Sequence, residues 1–234
     1  MNNNQKIINF FKDTDSYINR NHVIELRRVI VSDLIGEPVG KRILDIGCGD
    51  GTLTIDYLKN NEITFLDITP EMIDLVRTKI SDDCIENVQF MNIDIFNFTT
   101  EIKYDIVICV GVFAHAPGVL FLTKKIESLL SSKGVAVVQY TNSKGLVSML
   151  NRLKNTILFR KKYNYLPNMH STGEIEEIIT SCNFKILKRY SYWPVSPFFS
   201  LLKNGLKKRA LIYFYKSKLF SQFGSEKVIL LTRV

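Results

Sequence analysis

Ile43-Leu44-Asp45-Ile46-Gly47-Cys48-Gly49-Asp50-Gly51 is the stretch on which the reading of this chain turns. An apolar run breaks into a glycine-rich turn, and carboxylates stand at Asp45 and Asp50. Glycines at such a turn let backbone amides approach a ligand closely, at the mouth of a strand–turn–helix unit where nucleotides bind. The carboxylates narrow the choice of nucleotide. A pyrophosphate laid against this turn would be repelled by both, which disfavours a dinucleotide. A nucleoside that carries cations in place of phosphates suits an acidic turn.

The same residues, Asp45 to Gly51, resemble the first motif of the class I S-adenosylmethionine-dependent methyltransferases. S-adenosylmethionine carries a sulfonium and an ammonium and no phosphate, in keeping with the charge of the turn. The resemblance implies that Asp45, Gly47, Cys48 and Gly49 form the cofactor turn. Asp67 follows Gly47 by 20 residues, at the end of the next apolar run. A carboxylate at that spacing accepts both hydroxyls of a bound ribose. Its context, Phe65-Leu66-Asp67-Ile68-Thr69-Pro70-Glu71-Met72, is similar to the second motif of the family, which implies that Ile68 and Met72 flank the adenine. Asp94, in Asn92-Ile93-Asp94-Ile95, stands where the family places an acid that accepts from the adenine amine, and the backbone of Ile95 then meets the ring. An adenine edge calls for an acceptor there. Asp105 resembles the mainly structural acid of the fourth motif. The segment after it, Val110-Gly111-Val112-Phe113-Ala114-His115, corresponds to the family's pocket floor, with Val110 at the cofactor. Many small-molecule members carry Glu-His where this chain has Ala114-His115, so no role passes to that missing carboxylate.

Patterning outside the turn agrees with such a fold. Residues 5–36 read as helical, with apolar residues at near-helical spacing and a polar break around residues 13–21. Strands are expected at 41–46, 62–68, 87–91, 104–110 and 134–140, and helices at 52–59, after Thr69-Pro70, and at 119–130. Such strand–helix alternation argues for an α/β three-layer sandwich. A helix at 174–182, a strand at 184–192 and a last strand at 226–233 resemble the antiparallel end of a seven-stranded, mostly parallel methyltransferase sheet. The chain thus reads as one domain spanning 1–234. Residues 1–40 form an N-terminal helical lid, 41–140 a cofactor-binding core, and 141–234 substrate-side inserts with the closing strands.

Methyl transfer is an in-line displacement at a sulfonium, a good leaving group, so positioning and electrostatics supply much of the rate. A base is needed where the nucleophile carries a proton of high pKa. His115 has two readings, a general base near neutrality or a structural histidine beside the cofactor. His170 and Tyr165, from the substrate-side run Tyr163-Asn164-Tyr165-Leu166-Pro167-Asn168-Met169-His170, are further base or orienting candidates. Tyr17 and Arg20, in a segment that folds over the cofactor in many family members, are candidates for the methionine carboxylate.

Charge is unevenly spread. Residues 1–140 hold 14 Lys and Arg against 19 Asp and Glu, whereas residues 141–234 hold 17 against 4, within a net charge of +8. A basic third suggests an anionic partner, and a small anionic or lipid-linked metabolite is the expected acceptor. The aromatic and basic run from Trp193 to Lys216 reads as a substrate lid, as a patch that meets an anionic membrane surface, or as a packing helix with a basic outer face. A nucleic-acid acceptor is the alternative that the basic third raises. It is disfavoured because Gly111-Val112-Phe113-Ala114 stands where base-modifying enzymes carry an Asn-Pro-Pro-Tyr type motif. A non-catalytic binding protein on the same fold is disfavoured by the intact Asp45, Gly47, Gly49, Asp67 and Asp94 set. Cys48, Cys84, Cys109 and Cys182 have no metal-ligand spacing and read as reduced thiols, so no metal is expected. The polar start, Met1 to Lys6, has no long apolar region behind it, and a cytoplasmic location is expected. Nothing in the sequence sets an oligomeric state.

Overall fold

The computed structural model describes residues 5, 8, 9, 21–142, 144, 148, 170–192, 206, 209, 212, 213, 215 and 224–234. Tyr17, Arg20 and Tyr165 lie outside the described residues, as does most of the stretch 193–223.

Helix α1 (Asn21–Ile35) leads into strand β1 (Arg42–Ile46). Strand β2 (Glu62–Asp67), helix α2 (Pro70–Lys79), strand β3 (Val88–Asn92) and strand β4 (Tyr104–Cys109) follow. Helix α3 (Val119–Leu129) runs straight into strand β5 (Leu130–Thr141). Helix α4 (Thr172–Ser181), strand β6 (Phe184–Tyr192) and strand β7 (Glu226–Arg233) complete the order.

The seven strands form one sheet in the order β3-β2-β1-β4-β5-β7-β6. β1 to β5 pair in parallel, and β7 runs antiparallel to both β5 and β6. The apolar runs become the central strands because both faces are covered. On one face Leu26, Ile30 and Val31 of α1 and Val76 of α2 pack over Ile43, Phe65 and Ile108. On the other, Leu122 and Ile126 of α3 and Ile175 and Ile179 of α4 pack over Leu44, Val107 and Ala136. This is the expected three-layer sandwich with its last strand antiparallel. The chain leaves β1 toward β2 on one side and returns through β4 on the other. The glycine turn therefore lies at the point where strand order reverses, outside the strand carboxyl ends, where such sheets bind ligands.

Two elements differ from the sequence expectation. The helix expected over 52–59 is a short 3-10 helix, Ile55–Asn60. Thr54 stands at φ −128° and ψ −16°, off helical geometry, while its hydroxyl donates to Asp45 at 2.6 Å. That tie accompanies a start three residues later than expected, and no regular α-helix forms before β2. Strand β5 begins at Leu130, four residues early, because Leu130 pairs with Tyr104. The intervening residues are absorbed by a register shift between Tyr104 and Ile106.

Candidate functional site

The turn after β1 is built on backbone that only glycine adopts freely. Gly47 has φ +65°, and a Cβ placed on it would stand 2.4 Å from Val112 Cγ2. Segment 110–115 therefore lies directly against the turn, and a side chain at position 47 has nowhere to go. The turn's amides point at the end of β2. Gly47 N and Cys48 N donate to the Leu66 carbonyl at 2.7 and 3.1 Å, and Gly49 N donates to Asp67 Oδ2 at 3.0 Å.

Asp67 ends β2 and is 8% exposed. Its Oδ1 accepts from Thr69 N at 2.8 Å. Burial raises its pKa, and the backbone amides of Thr69 and Gly49 pull the other way. Each carboxylate oxygen has two lone pairs, so a carboxylate held by one amide per oxygen retains acceptors for two ligand hydroxyls. Asn92 Nδ2 donates to the Asp67 carbonyl at 3.0 Å and ties the carboxyl end of β3 to that of β2. Two residues on, half-buried Asp94 takes Phe96 N on Oδ1 at 3.0 Å. Ile68 is half-buried beside Asp67, whereas Met72 is 1% exposed, and Ile95 and Val110 are buried.

The three carboxylates around the turn are held in three different ways. Asp50 is paired to Lys79 Nζ at 2.6 Å and bonded by the Thr52 hydroxyl at 2.8 Å. Asp67 is held by amides. Asp45 lies beneath the turn at 1% exposure, with the Thr54 hydroxyl on Oδ2. Burial, only partly offset by that hydroxyl, pushes its pKa up to about 7. Cys48, buried in the turn next to these acids, has its thiol held well above the usual range by burial and by Asp45. Burial does the same to Cys109 within β4, so neither is a nucleophile at neutral pH.

Of the base candidates, His115 is half-buried in the turn after β4, where its amide donates to the Val112 carbonyl at 2.8 Å. His170 bridges to Asn142 just beyond β5, and its Nδ1 stands 3.7 Å from Glu174 Oε2. Glu174 closes a capping box with Ser171 at the start of α4 and also pairs with Lys144 at 3.0 Å. His170 is thus built into the joint between β5 and α4, at the carboxyl rim of the sheet.

Four residues that sequence reasoning missed gather at the carboxyl ends of β4 and β5. Arg27 of α1 donates from Nε to the Tyr192 hydroxyl at 2.8 Å, and its Nη1 comes within 3.3 Å of where a Gly111 Cβ would stand. Tyr192 is 1% exposed, and burial pushes its phenol up to about 12, which keeps it neutral. Gln139 and Glu226 are buried together, the Gln139 amide donating to Glu226 Oε2 and the Thr141 hydroxyl donating to Glu226 at 3.0 Å. The available signal was a pair of polar residues, Gln139 and Thr141, on one side of a strand after its apolar run Val135 to Val138. Their partner is 85 or more residues away.

The acidic cradle, the glycine that tolerates no Cβ, and a carboxylate with free lone pairs at the end of β2 fit a cationic nucleoside and not a pyrophosphate. A sequence profile of a methyltransferase domain matches residues 38–186, more than half of the chain. Malonyl-[acyl-carrier protein] O-methyltransferase 1 of Ilyobacter polytropus is 27% identical over 191 residues, 79% of this chain and 67% of that protein. Ubiquinone biosynthesis O-methyltransferase of Aeromonas salmonicida is 28% identical over 114 residues, 48% of each. Among solved structures, magnesium protoporphyrin IX methyltransferase from Synechocystis with bound S-adenosylhomocysteine superposes with a TM-score of 0.67 at 16% identity, covering all of both chains.

Proposed function

This chain belongs to the class I S-adenosylmethionine-dependent methyltransferases, and on that premise we propose that it methylates an oxygen or nitrogen nucleophile of a small, anionic or lipid-linked metabolite. The observation that carries the cofactor half is Asp67, one amide on each oxygen, at the carboxyl end of β2. It holds the ribose, Asp94 accepts from the adenine amine, and Ile68, Met72 and Ile95 provide apolar surface around the ring. Gly47, Cys48, Gly49 and Val110 line the path toward the methionine end, with Asp45 beneath as counter-charge. Bound there, S-adenosylmethionine supplies an activated methyl group. The chain's own part is to orient the nucleophile in line, to exclude water under α1, and to accept a proton where the nucleophile has one. His115, His170 and Tyr165 are the residues proposed for that last task, and Tyr17 for the methionine end. Similarity to O-methyltransferases named for malonyl-carrier and ubiquinone chemistry supports a metabolite acceptor.

The described part of the basic insert supports a surface role for it. Leu206, Arg209 and Tyr213 are exposed, while Tyr215 is buried and its hydroxyl donates to Asp33 of α1 at 3.0 Å. A cation between two exposed apolar side chains suits an anionic lipid surface or a lipid-linked acceptor. No helix among the described residues is long and apolar enough to cross a membrane. Incubation with methyl-labelled S-adenosylmethionine and an extract of the source organism tests the reading. Label in the organic or small-molecule fraction is expected, and label in RNA would overturn it.

A further inference from the structure

Continuing the β4–β5 register one residue past Cys109 and Val138 sets Gln139 beside Val110. Both lie on the α1 face of the sheet. Val110 packs there with Ile106 and Ile108, and Gln139 follows Val137 by two residues, which keeps it on the same side. Gln139 therefore stands at the methionine end of the proposed cofactor path. It is 4% exposed.

Its amide has one orientation. Glu226 of β7, opposite Thr141, is its partner; the Glu226 oxygens also accept from Thr141, and a carboxylate offers only acceptors. The NH2 group must therefore face Glu226, as it does. The Oε1 atom is left turned away from that partner, buried and, among the described residues, without a hydrogen-bond partner. A buried acceptor left unpaired costs free energy, and native proteins rarely leave one without a reason. Nearby, Arg27 bonds to Tyr192, the cross-strand partner of Glu226, and extends to Gly111 in the pocket floor. Gln139 is thus linked through Glu226 to the strand that carries Tyr192, and through Tyr192 to Arg27 on the helix above.

We propose that Gln139 is an acceptor-binding residue, and that Oε1 receives the hydrogen of an X–H nucleophile, an amine or hydroxyl, on the molecule to be methylated. The inference deepens the small-acceptor reading above and rests on it. It narrows that reading to a nucleophile that still carries its proton, because a free carboxylate has no hydrogen to give. An amide oxygen is too weak a base to keep the proton. Gln139 therefore directs a lone pair of X toward the methyl group, and the proton passes to a base or to water as the X–C bond forms and the C–S bond breaks.

Phenol and anisole test this, since they differ only in whether the oxygen bears hydrogen or methyl. Each is titrated into the S-adenosylhomocysteine-loaded full-length protein and followed by saturation-transfer NMR. The wild type is expected to prefer phenol about tenfold, roughly the worth of one hydrogen bond to a buried acceptor. In Gln139→Met, which keeps length but loses the acceptor, and in Glu226→Gln, whose new amide can itself donate to Oε1, the ratio should fall to about twofold or less. A wild type without the preference overturns the proposal and needs no variant to fold. A preference that survives in both variants overturns it as well. S-adenosylhomocysteine affinity by calorimetry should stay within about threefold in both. A loss of about tenfold in Gln139→Met would assign Oε1 to the cofactor's ammonium instead. Label in RNA in the extract experiment would defeat the small-acceptor reading by itself, and the phenol ratio decides the role of Gln139 separately.

Discussion

Asp45 offers a test in which stability and function pull apart. Its carboxyl is buried beneath the glycine turn and ionises near pH 7 instead of near pH 4. The folded protein therefore holds a proton on Asp45 where the unfolded chain has lost it. Because the native state binds more protons over that range, stability falls as pH rises from about 4 to about 7, and the loss is complete above that. Three pKa units correspond to about 4 kcal/mol, of which roughly 3 kcal/mol lie between pH 5 and pH 8. Asp45→Asn keeps an acceptor for the Thr54 hydroxyl and removes the titration. Whatever the offset between variant and wild type at any one pH, the gap between them must move. Urea unfolding of both cofactor-free proteins at pH 5 and pH 8 should show the variant gaining about 3 kcal/mol on the wild type over the interval. A gap constant within about 1 kcal/mol would refute the assignment of the raised pKa to Asp45. The same variant should bind S-adenosylmethionine more weakly at pH 8, where the wild type presents an ionised carboxylate to a cation. Calorimetry in two buffers of different ionisation enthalpy should show the wild type releasing part of a proton on binding near pH 6.5, and the variant releasing less.

Three further substitutions probe the rest of the site. Asp67→Ala should weaken cofactor binding by at least about tenfold, since it removes a charged acceptor from a buried position; unchanged affinity in a folded variant would sink the ribose assignment. Gly47→Ala puts a methyl 2.4 Å from Val112 Cγ2 at φ +65°, and its melting temperature should fall, with Val112→Ala recovering only the steric share and leaving the backbone strain of about 1 kcal/mol. His115→Ala should lower turnover on the acceptor found by labelling more than it lowers cofactor affinity, and full activity would leave His115 a packing residue.

The central strands were legible because burial on both faces makes β1, β2 and β4 near-continuous apolar runs, and the turn was legible because its glycines lie close together in the chain. Asp67 could be found from spacing alone, since one βα unit separates it from Gly47. What escaped depends on contacts across the fold. The helix expected after the turn is shortened by a hydroxyl that reaches back to Asp45, a bond no local pattern encodes. Arg27 and Tyr192 are 165 residues apart, and Gln139 and Glu226 are 87 apart. Each looks like an ordinary polar residue until β6 and β7 are laid against β5. His170 was legible as chemistry but not as place. Its bridge to Asn142 and its approach to Glu174 come from the docking of α4 against the end of β5.

Why the turn carries three acids follows from how each is held. Three carboxylates in one place would repel one another, and the fold removes that cost separately for each. Asp50 is paired with Lys79. Asp67 accepts two backbone amides that offset part of the burial raising its pKa, and those amides also shape the turn. Asp45 is held, among the described residues, by a hydroxyl in place of a cation or an amide, and it is the one whose ionisation is postponed to about pH 7. Asp45 is therefore a buried carboxyl, held by neither cation nor amide, whose charge depends on what is bound above it. A cation in the turn stabilises the ionised form and is stabilised in return, whereas a phosphate meets a carboxylate that Lys79, committed to Asp50, does not screen. Selectivity for a sulfonium nucleoside thus resides less in the number of acids than in the one acid held by neither a cation nor an amide among the described residues.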